Sequence, residues 1–133
     1  MLEDYYNANP VAENGQPNIP FTILCDDWRF FCLENPPQFL DGYPNDGCCI
    51  VDPVRKKVID YNMSLTAKRY FRLLNQEYQK GMIDPESFVQ TYEEYLEKLS
   101  TGCVLGMVDQ WWQFAYNIND SLESVEIEGC NYV

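Results

Sequence analysis

The sequence predicts an α/β fold, a mixed β-sheet covered by helices. Three observations predict it. Two short apolar runs, "IPFTILC" at 19–25 and "CVLGMV" at 103–108, have strand length and strand composition. Two longer stretches between them carry apolar residues at three- and four-residue steps, the mark of helices with one buried face. A hairpin pattern, "CCIVDPVRKKVIDYN", precedes those helices. Strands alternating with helices belong to sheets with helical cover.

In chain order, residues 1–18 are expected as loop and linker. "NPVAENGQPNIP" holds three prolines and an Asn-Gly pair, which punctuate turns. Residues 19–125 form the expected core, opened by the buried strand 19–25. Asp26 or Asp27 then caps a short helix in "DDWRFFCLEN", which Pro36 and Pro37 terminate. Residues 38–47 are expected as loop. Cys49–Val51 and Lys57–Ile59 are the arms of the hairpin, with Asp52-Pro53 starting its turn and Arg55, Lys56 and Lys57 at a solvated tip.

The clearest helix starts at Ser64, with Ala67, Tyr70, Phe71, Leu74 and Tyr78 on one stripe and Gly81 at its end. Asp84 before Pro85 predicts the start of a second helix, running through Val89, Tyr92, Leu96 and Leu99 to Gly102, with a Glu94–Lys98 pair on its outer face. Gly106 inside the strand 103–108 predicts close approach of another backbone or a ligand. Asp109 is expected to cap a last helix, and residues 126–133 form a tail without pattern.

Composition narrows the function. The chain has 133 residues and a net charge of −12, so phosphate backbones repel it and nucleic acid is not an expected partner. It contains no histidine, which excludes Ser-His-Asp and Cys-His catalysis within this sequence. Six cysteines show no C-x-x-C spacing, so neither a zinc ribbon nor a thioredoxin-like motif is expected. They pack as small apolar side chains or pair as disulfides, and spacing does not choose between these. Ten tyrosines and three tryptophans supply flat apolar faces with polar tips, suited to cores and to binding surfaces alike. No apolar segment is long enough to span a membrane and no basic-then-apolar leader opens the sequence, a pattern that by itself reads as cytosolic.

In open α/β sheets, ligands lie beyond the carboxyl ends of strands. "DDW" at 26–28 and "DQWW" at 109–112 fall at two such ends. The candidate binding residues are therefore Asp27, Trp28, Asp109, Gln110, Trp111 and Trp112. Trp111 and Trp112 point in different directions, so one faces a ligand at most. Each of these side chains has a plain structural alternative, core packing for the indoles and a helix cap for Asp109.

The order of these segments resembles a known family. "IPFT" at 19–22, a hairpin ending near Tyr61, "YQKGMIDPESF" at 78–88, "STG" at 100–102 and "CVLGMVDQWW" at 103–112 form one ordered set. It is similar to the extracellular solute-binding proteins of bacterial ABC transporters, specifically the large sugar- and oligosaccharide-binding lipoproteins. That family writes Gly-Leu-Ile-Asp-Pro-Glu where this chain has Gly81, Met82, Ile83, Asp84, Pro85 and Glu86. The resemblance implies a periplasmic-binding-protein-like lobe, part of a two-lobed receptor that closes over a sugar or oligosaccharide and delivers it to a membrane permease. It implies no enzyme activity and no cofactor, and a parent protein held at the cell surface by lipid. Family members are several times longer, so the chain is expected to be part of one lobe; the family's lipoprotein signal and lipid-bearing cysteine are missing from it. In the family the loop before "IPFT" is often an Asp-rich cation site. Asn9, Glu13, Asn14 and Asn18 offer too few carboxylates for calcium, which takes about six to eight oxygens, so no metal is expected.

Two rival readings remain. A glycoside hydrolase fragment would need two carboxylates about 5–10 Å apart, for which Asp26, Asp27 and Asp109 are the candidates. A protein-interaction domain would need no small ligand at all.

Overall fold

A computed structural model describes residues 1–43 and 49–109 of the chain. Among these residues, helices accompany a small two-stranded antiparallel sheet, a mixed α/β composition. Among the described residues, the mixed sheet expected from the sequence is reduced to this hairpin and a separate pair of bridged segments.

The two apolar runs do meet, and they run parallel. Ile19 bridges Val104 and Thr22 bridges Met107. The Ile19 N–H donates to the Cys103 carbonyl at 2.8 Å, Leu105 returns a bond to the Ile19 carbonyl at 2.9 Å, and Thr22 donates to Gly106 at 3.1 Å. Successive side chains then alternate, as strand geometry requires. Leu24 packs with Tyr95, Leu99 and Val104. Ile23 points the other way, into a cluster with Cys32 and Ile83. At Gly106 the close approach is chiefly by a side chain rather than by the expected backbone or ligand: a Cβ there would lie 2.8 Å from Cδ2 of Phe21 and 3.4 Å from the Pro20 carbonyl.

The other edge of this segment explains the largest departure from expectation. The predicted second helix does not run unbroken from Pro85. Pro85–Phe88 is a single 3₁₀ turn, capped by Asp84 as predicted. The chain then restarts as a separate helix. The break lets side chains of 84–90 serve the strand's backbone. The Asp84 N–H donates to the Phe21 carbonyl at 2.8 Å. Ser87 Oγ accepts the Ile23 N–H at 3.1 Å, and Gln90 Nε2 donates to the Ile23 carbonyl at 2.9 Å and to Thr22 Oγ1 at 3.0 Å. A continuous helix would leave these buried groups unpaired, at a cost of about 1–3 kcal/mol each. Val89, assigned to the apolar stripe by periodicity, is 80% exposed.

In order, α1 is Leu2–Ala8, where loop was expected. Glu3 and Asp4 sit in its first turn, the favourable end for acids, and it buries no side chain. A 3₁₀ turn Asp27–Phe30 leads into α2, Phe31–Glu34. Pro36 and Pro37 do not simply end a helix. They begin α3, Pro36–Leu40, because proline lacks only an N–H that a first turn leaves unused.

Strands β1, Cys49–Asp52, and β2, Lys57–Asp60, pair with Ile50 opposite Ile59 and Val51 opposite Val58. Asp52 Oδ1 accepts the N–H groups of Val54 and Arg55, which fixes the predicted turn. Ile50 anchors the hairpin against Tyr61 and Ala67. Helix α4 spans Leu65–Gln79, one residue after the expected start, and Ser64 serves as its cap, Oγ accepting the Ala67 N–H. It ends in a Schellman motif: Met82 N–H bonds Glu77, Gly81 N–H bonds Tyr78, and Gly81 has φ +76°. Helix α5, Tyr92–Ser100, opens on a capping box of Thr91 and Glu94. With Glu94 so engaged, Lys98 pairs with Asp84 and Glu86, each at 2.7 Å, instead of the expected Glu94. The expected last helix beyond Asp109 lies outside the described residues.

Candidate functional site

Because residues 19–22 and 104–107 run parallel, both continue toward the same side of the molecule. Asp26, Asp27 and Trp28 follow the first segment and Asp109 follows the second. The two predicted corners are therefore neighbours, and Cys32 joins them. Its thiol lies 3.5 Å from Asp109 Oδ1. Phe31, adjacent to Cys32, stacks on Trp28 with ring centroids 5.7 Å apart.

Each side chain in this corner has a distinct setting. Asp26 Oδ2 accepts the Tyr92 N–H at 3.0 Å, fastening the corner to the first turn of α5. Asp27 is exposed and holds φ +49°, a left-handed conformation that an aspartate adopts at a cost of about 1 kcal/mol. This bend turns the following residue outward, and the Trp28 side chain is 53% exposed. Arg29 sits between two rings. Its guanidinium carbon is 3.7 Å from the centroid of Tyr92 and 4.5 Å from that of Trp28. Such contacts contribute roughly 0.5–2 kcal/mol each, enough to hold both the arginine and the indole in one orientation.

Asp109 lies at a small cavity of about 40 Å³, lined by Phe31, Cys32, Asn35, Pro36, Phe39, Val108 and Asp109. That is room for a water molecule or two, whereas small-molecule pockets run to about 300–1,000 Å³. A sugar ring does not enter it. Trp28 remains half exposed in this corner, with Arg29 over its ring and Phe31 stacked against it. Within the cavity wall, Asn35 is buried and its Nδ2 has no hydrogen-bond partner. Burial, reinforced by the negative charge of Asp109, pushes the Cys32 thiol far up from its ordinary range. Burial alone moves Cys25 up to about 11. Neither thiol is a nucleophile at neutral pH.

Of the six predicted residues, Asp27, Trp28 and Asp109 occupy this corner. Gln110, Trp111 and Trp112 lie outside the described residues. Sequence reasoning missed Arg29 and Tyr92. The signal for Arg29 was present: a cation directly following "DDW". Tyr92 carried none, since it fits the apolar stripe of α5 as well as any core residue.

Among the described residues, no cluster of three or more Cys, Asp or Glu side chains is arranged to hold a metal ion. In the N-terminal loop, Asn18 Nδ2 donates to the Asn9 carbonyl and Asn14 Nδ2 to the Thr101 carbonyl. Cys25, Cys32, Cys49 and Cys103 are free thiols. No helix among the described residues is long and apolar enough to cross a membrane.

Comparison with family models, with curated proteins and with solved structures returns no match. The functional reading therefore rests on the residues themselves.

Proposed function

We propose that the chain is a sugar-binding portion of a solute receptor, a periplasmic-binding-protein-like lobe piece with no catalytic role. The parent would be an extracellular, lipid-tethered protein that passes a sugar or oligosaccharide to an ABC transporter permease. One observation carries the reading: the parallel pairing of 19–22 with 104–107 brings Asp27, Trp28 and Asp109 to one side of the fold. An outward indole with carboxylates nearby is the chemistry of carbohydrate recognition. The ring takes the C–H face of a pyranose, and planar oxygens take its hydroxyls. The ordered sequence resemblance from "IPFT" to "DQWW" supports the same reading.

The test is a titration of the chain with monosaccharides and oligosaccharides at millimolar concentration, followed by the indole N–H resonances and by tryptophan fluorescence. Saturable change at the Trp28 indole, lost in Trp28→Ala, is expected. A response confined to peptides or metal ions would remove the sugar assignment. Chromogenic glycosides should show no turnover, and sustained hydrolysis would favour the glycosidase reading instead.

A further inference from the structure

Charge is unevenly spread along the chain. The stretch 53–76 holds Arg55, Lys56, Lys57, Lys68, Arg69 and Arg72 against one acid, Asp60, and so carries +5. The other residues carry −17. Helix α4 displays half of these cations. It turns Ala67 and Phe71 into the cluster under the hairpin, and Leu74 toward Ile23, Cys32 and Ile83. Its opposite face presents Lys68, Arg69 and Arg72, all exposed, with Leu65 and Leu73 exposed beside them. Lys68 and Arg72 stand one helical turn apart. Helix α5 presents the complement. It buries Tyr95 and Leu99 and leaves Glu93 and Glu97 exposed, again one turn apart. Among the described residues, none of Lys68, Arg69, Arg72, Glu93 and Glu97 forms an ion pair. The two faces share a four-residue spacing with opposite charge, and nothing within one copy joins them. Each also has an open apolar neighbour, Leu73 on α4 and Val89 just ahead of α5.

We propose that these faces meet between two copies of this chain. The outer face of α4 in one copy lies antiparallel on α5 of the second, with Lys68 opposite Glu97 of the second copy and Arg72 opposite Glu93 of the second copy. In that register Leu73 approaches Val89 of the second copy, which gives the exposed valine a partner. The inference stands apart from the sugar reading. The net charge of −12 opposes association at long range. Beyond about 8 Å that field is screened at physiological salt, which leaves the opposed faces to decide. Exposed ion pairs select the register and add little affinity. Helix α5 has nine residues and is about 13 Å long. The contact is therefore smaller than the roughly 1,200 Å² that stable complexes bury, and the association is weak, with Kd of about 0.1–1 mM.

The experiment is sedimentation equilibrium of the full chain from about 20 μM to about 1 mM at about 150 mM salt, with backbone amide shifts recorded over the same range. The wild type is expected to gain mass with concentration, and its shifts to gather on the exposed faces of α4 and α5. Two charge-reversed variants are compared, Lys68→Glu with Arg72→Glu, and Glu93→Lys with Glu97→Lys. Glu94 is left in place because it closes the capping box of α5. Each variant alone carries like charges on both faces and should stay monomeric. Mixed in equal amounts, the two should associate again near the wild-type Kd, because opposite faces are restored across the pair. A wild type that stays monomeric throughout overturns the proposal. So does association that survives both reversals, which would put the contact elsewhere. Monomeric variants that do not recover on mixing overturn the α4–α5 pairing. If circular dichroism shows that a variant does not fold, the wild-type shift map decides: shifts gathered on α4 and α5 support the proposal, and shifts elsewhere overturn it.

Discussion

Replacing Lys98 by methionine removes the cation from a nearly closed polar cluster while keeping the aliphatic stem. The Lys98 ammonium sits 2.7 Å from Asp84 Oδ2, 2.7 Å from Glu86 and 2.9 Å from Gln90 Oε1. Side-chain exposure is 18% for Lys98, 6% for Asp84 and 65% for Glu86. The Glu86 contact, open to water, contributes little. Asp84 is different, because the substitution strands a buried carboxylate. Removing one partner of a fully buried pair costs about 3–5 kcal/mol. Asp84 keeps the Thr22 hydroxyl at 3.0 Å and the Glu86 N–H at 3.0 Å, which lowers the expected loss to roughly 2–3 kcal/mol. Unfolding entropy near 2.1 cal/mol/K per residue gives about 0.28 kcal/mol/K for 133 residues, so Tm should fall by about 7–11 °C. Lys98→Met with Asp84→Asn should cost less than the two single losses added, since the double variant strands no charge. The cluster also sets a pH dependence. Desolvation lowers the Lys98 pKa, but its hydrogen bonds to Asp84 and Glu86 outweigh this and the net shift is upward from 10.5. A raised folded-state pKa means that this stabilisation is complete below pH 10.5 and is lost as pH rises through the folded value. Thermal melts of wild type and variants between neutral and alkaline pH test both statements. A Tm change below about 2 °C for Lys98→Met would refute the assignment of the cluster as a main tie between α5 and the strand.

Three further outcomes are expected. Gly106→Ala places a Cβ 2.8 Å from the Phe21 ring and should cost about 1–3 kcal/mol in chemical denaturation, largely relieved by the second change Phe21→Leu. Thr91→Ala opens the capping box of α5 and should lower stability by about 1 kcal/mol by the same measurement, while Thr91→Ser restores most of it. Native alkylation at pH 8 followed by peptide mass mapping should modify exposed Cys49 well before Cys25 and Cys32, whose thiols burial holds protonated; equal rates would contradict that burial.

What could be read from the sequence was written locally. Ser64, the Asp52-Pro53 turn and Gly81 each act on backbone groups within a few residues, and the helix start, turn and helix end lie at or next to them, as the sequence indicates. The unbroken helix from Pro85 was misread for the opposite reason. Its 3.6-residue pattern continues through Val89, and the break answers to Phe21 and Ile23, more than sixty residues away. Pro36 and Pro37 carry two local meanings, stop and start, and only packing selects the second. Helix α1 was hidden because it buries nothing and so has no apolar stripe to find. At the candidate corner, what was legible is that Asp27, Trp28 and Asp109 follow the two apolar segments, which do pair. The clamp on Arg29 was not, because it needs Tyr92 from a different element.

The pairing of Ile19 with Val104 joins positions separated by most of the polypeptide. On the ribosome, the first of these segments emerges long before its partner is synthesised. Until then Leu24, which packs on Val104, has no finished shelter, and a nascent chain displaying it depends on chaperones or on speed. A stop codon directly before Cys103 would release a product whose helices still have their caps but whose central seam can never close.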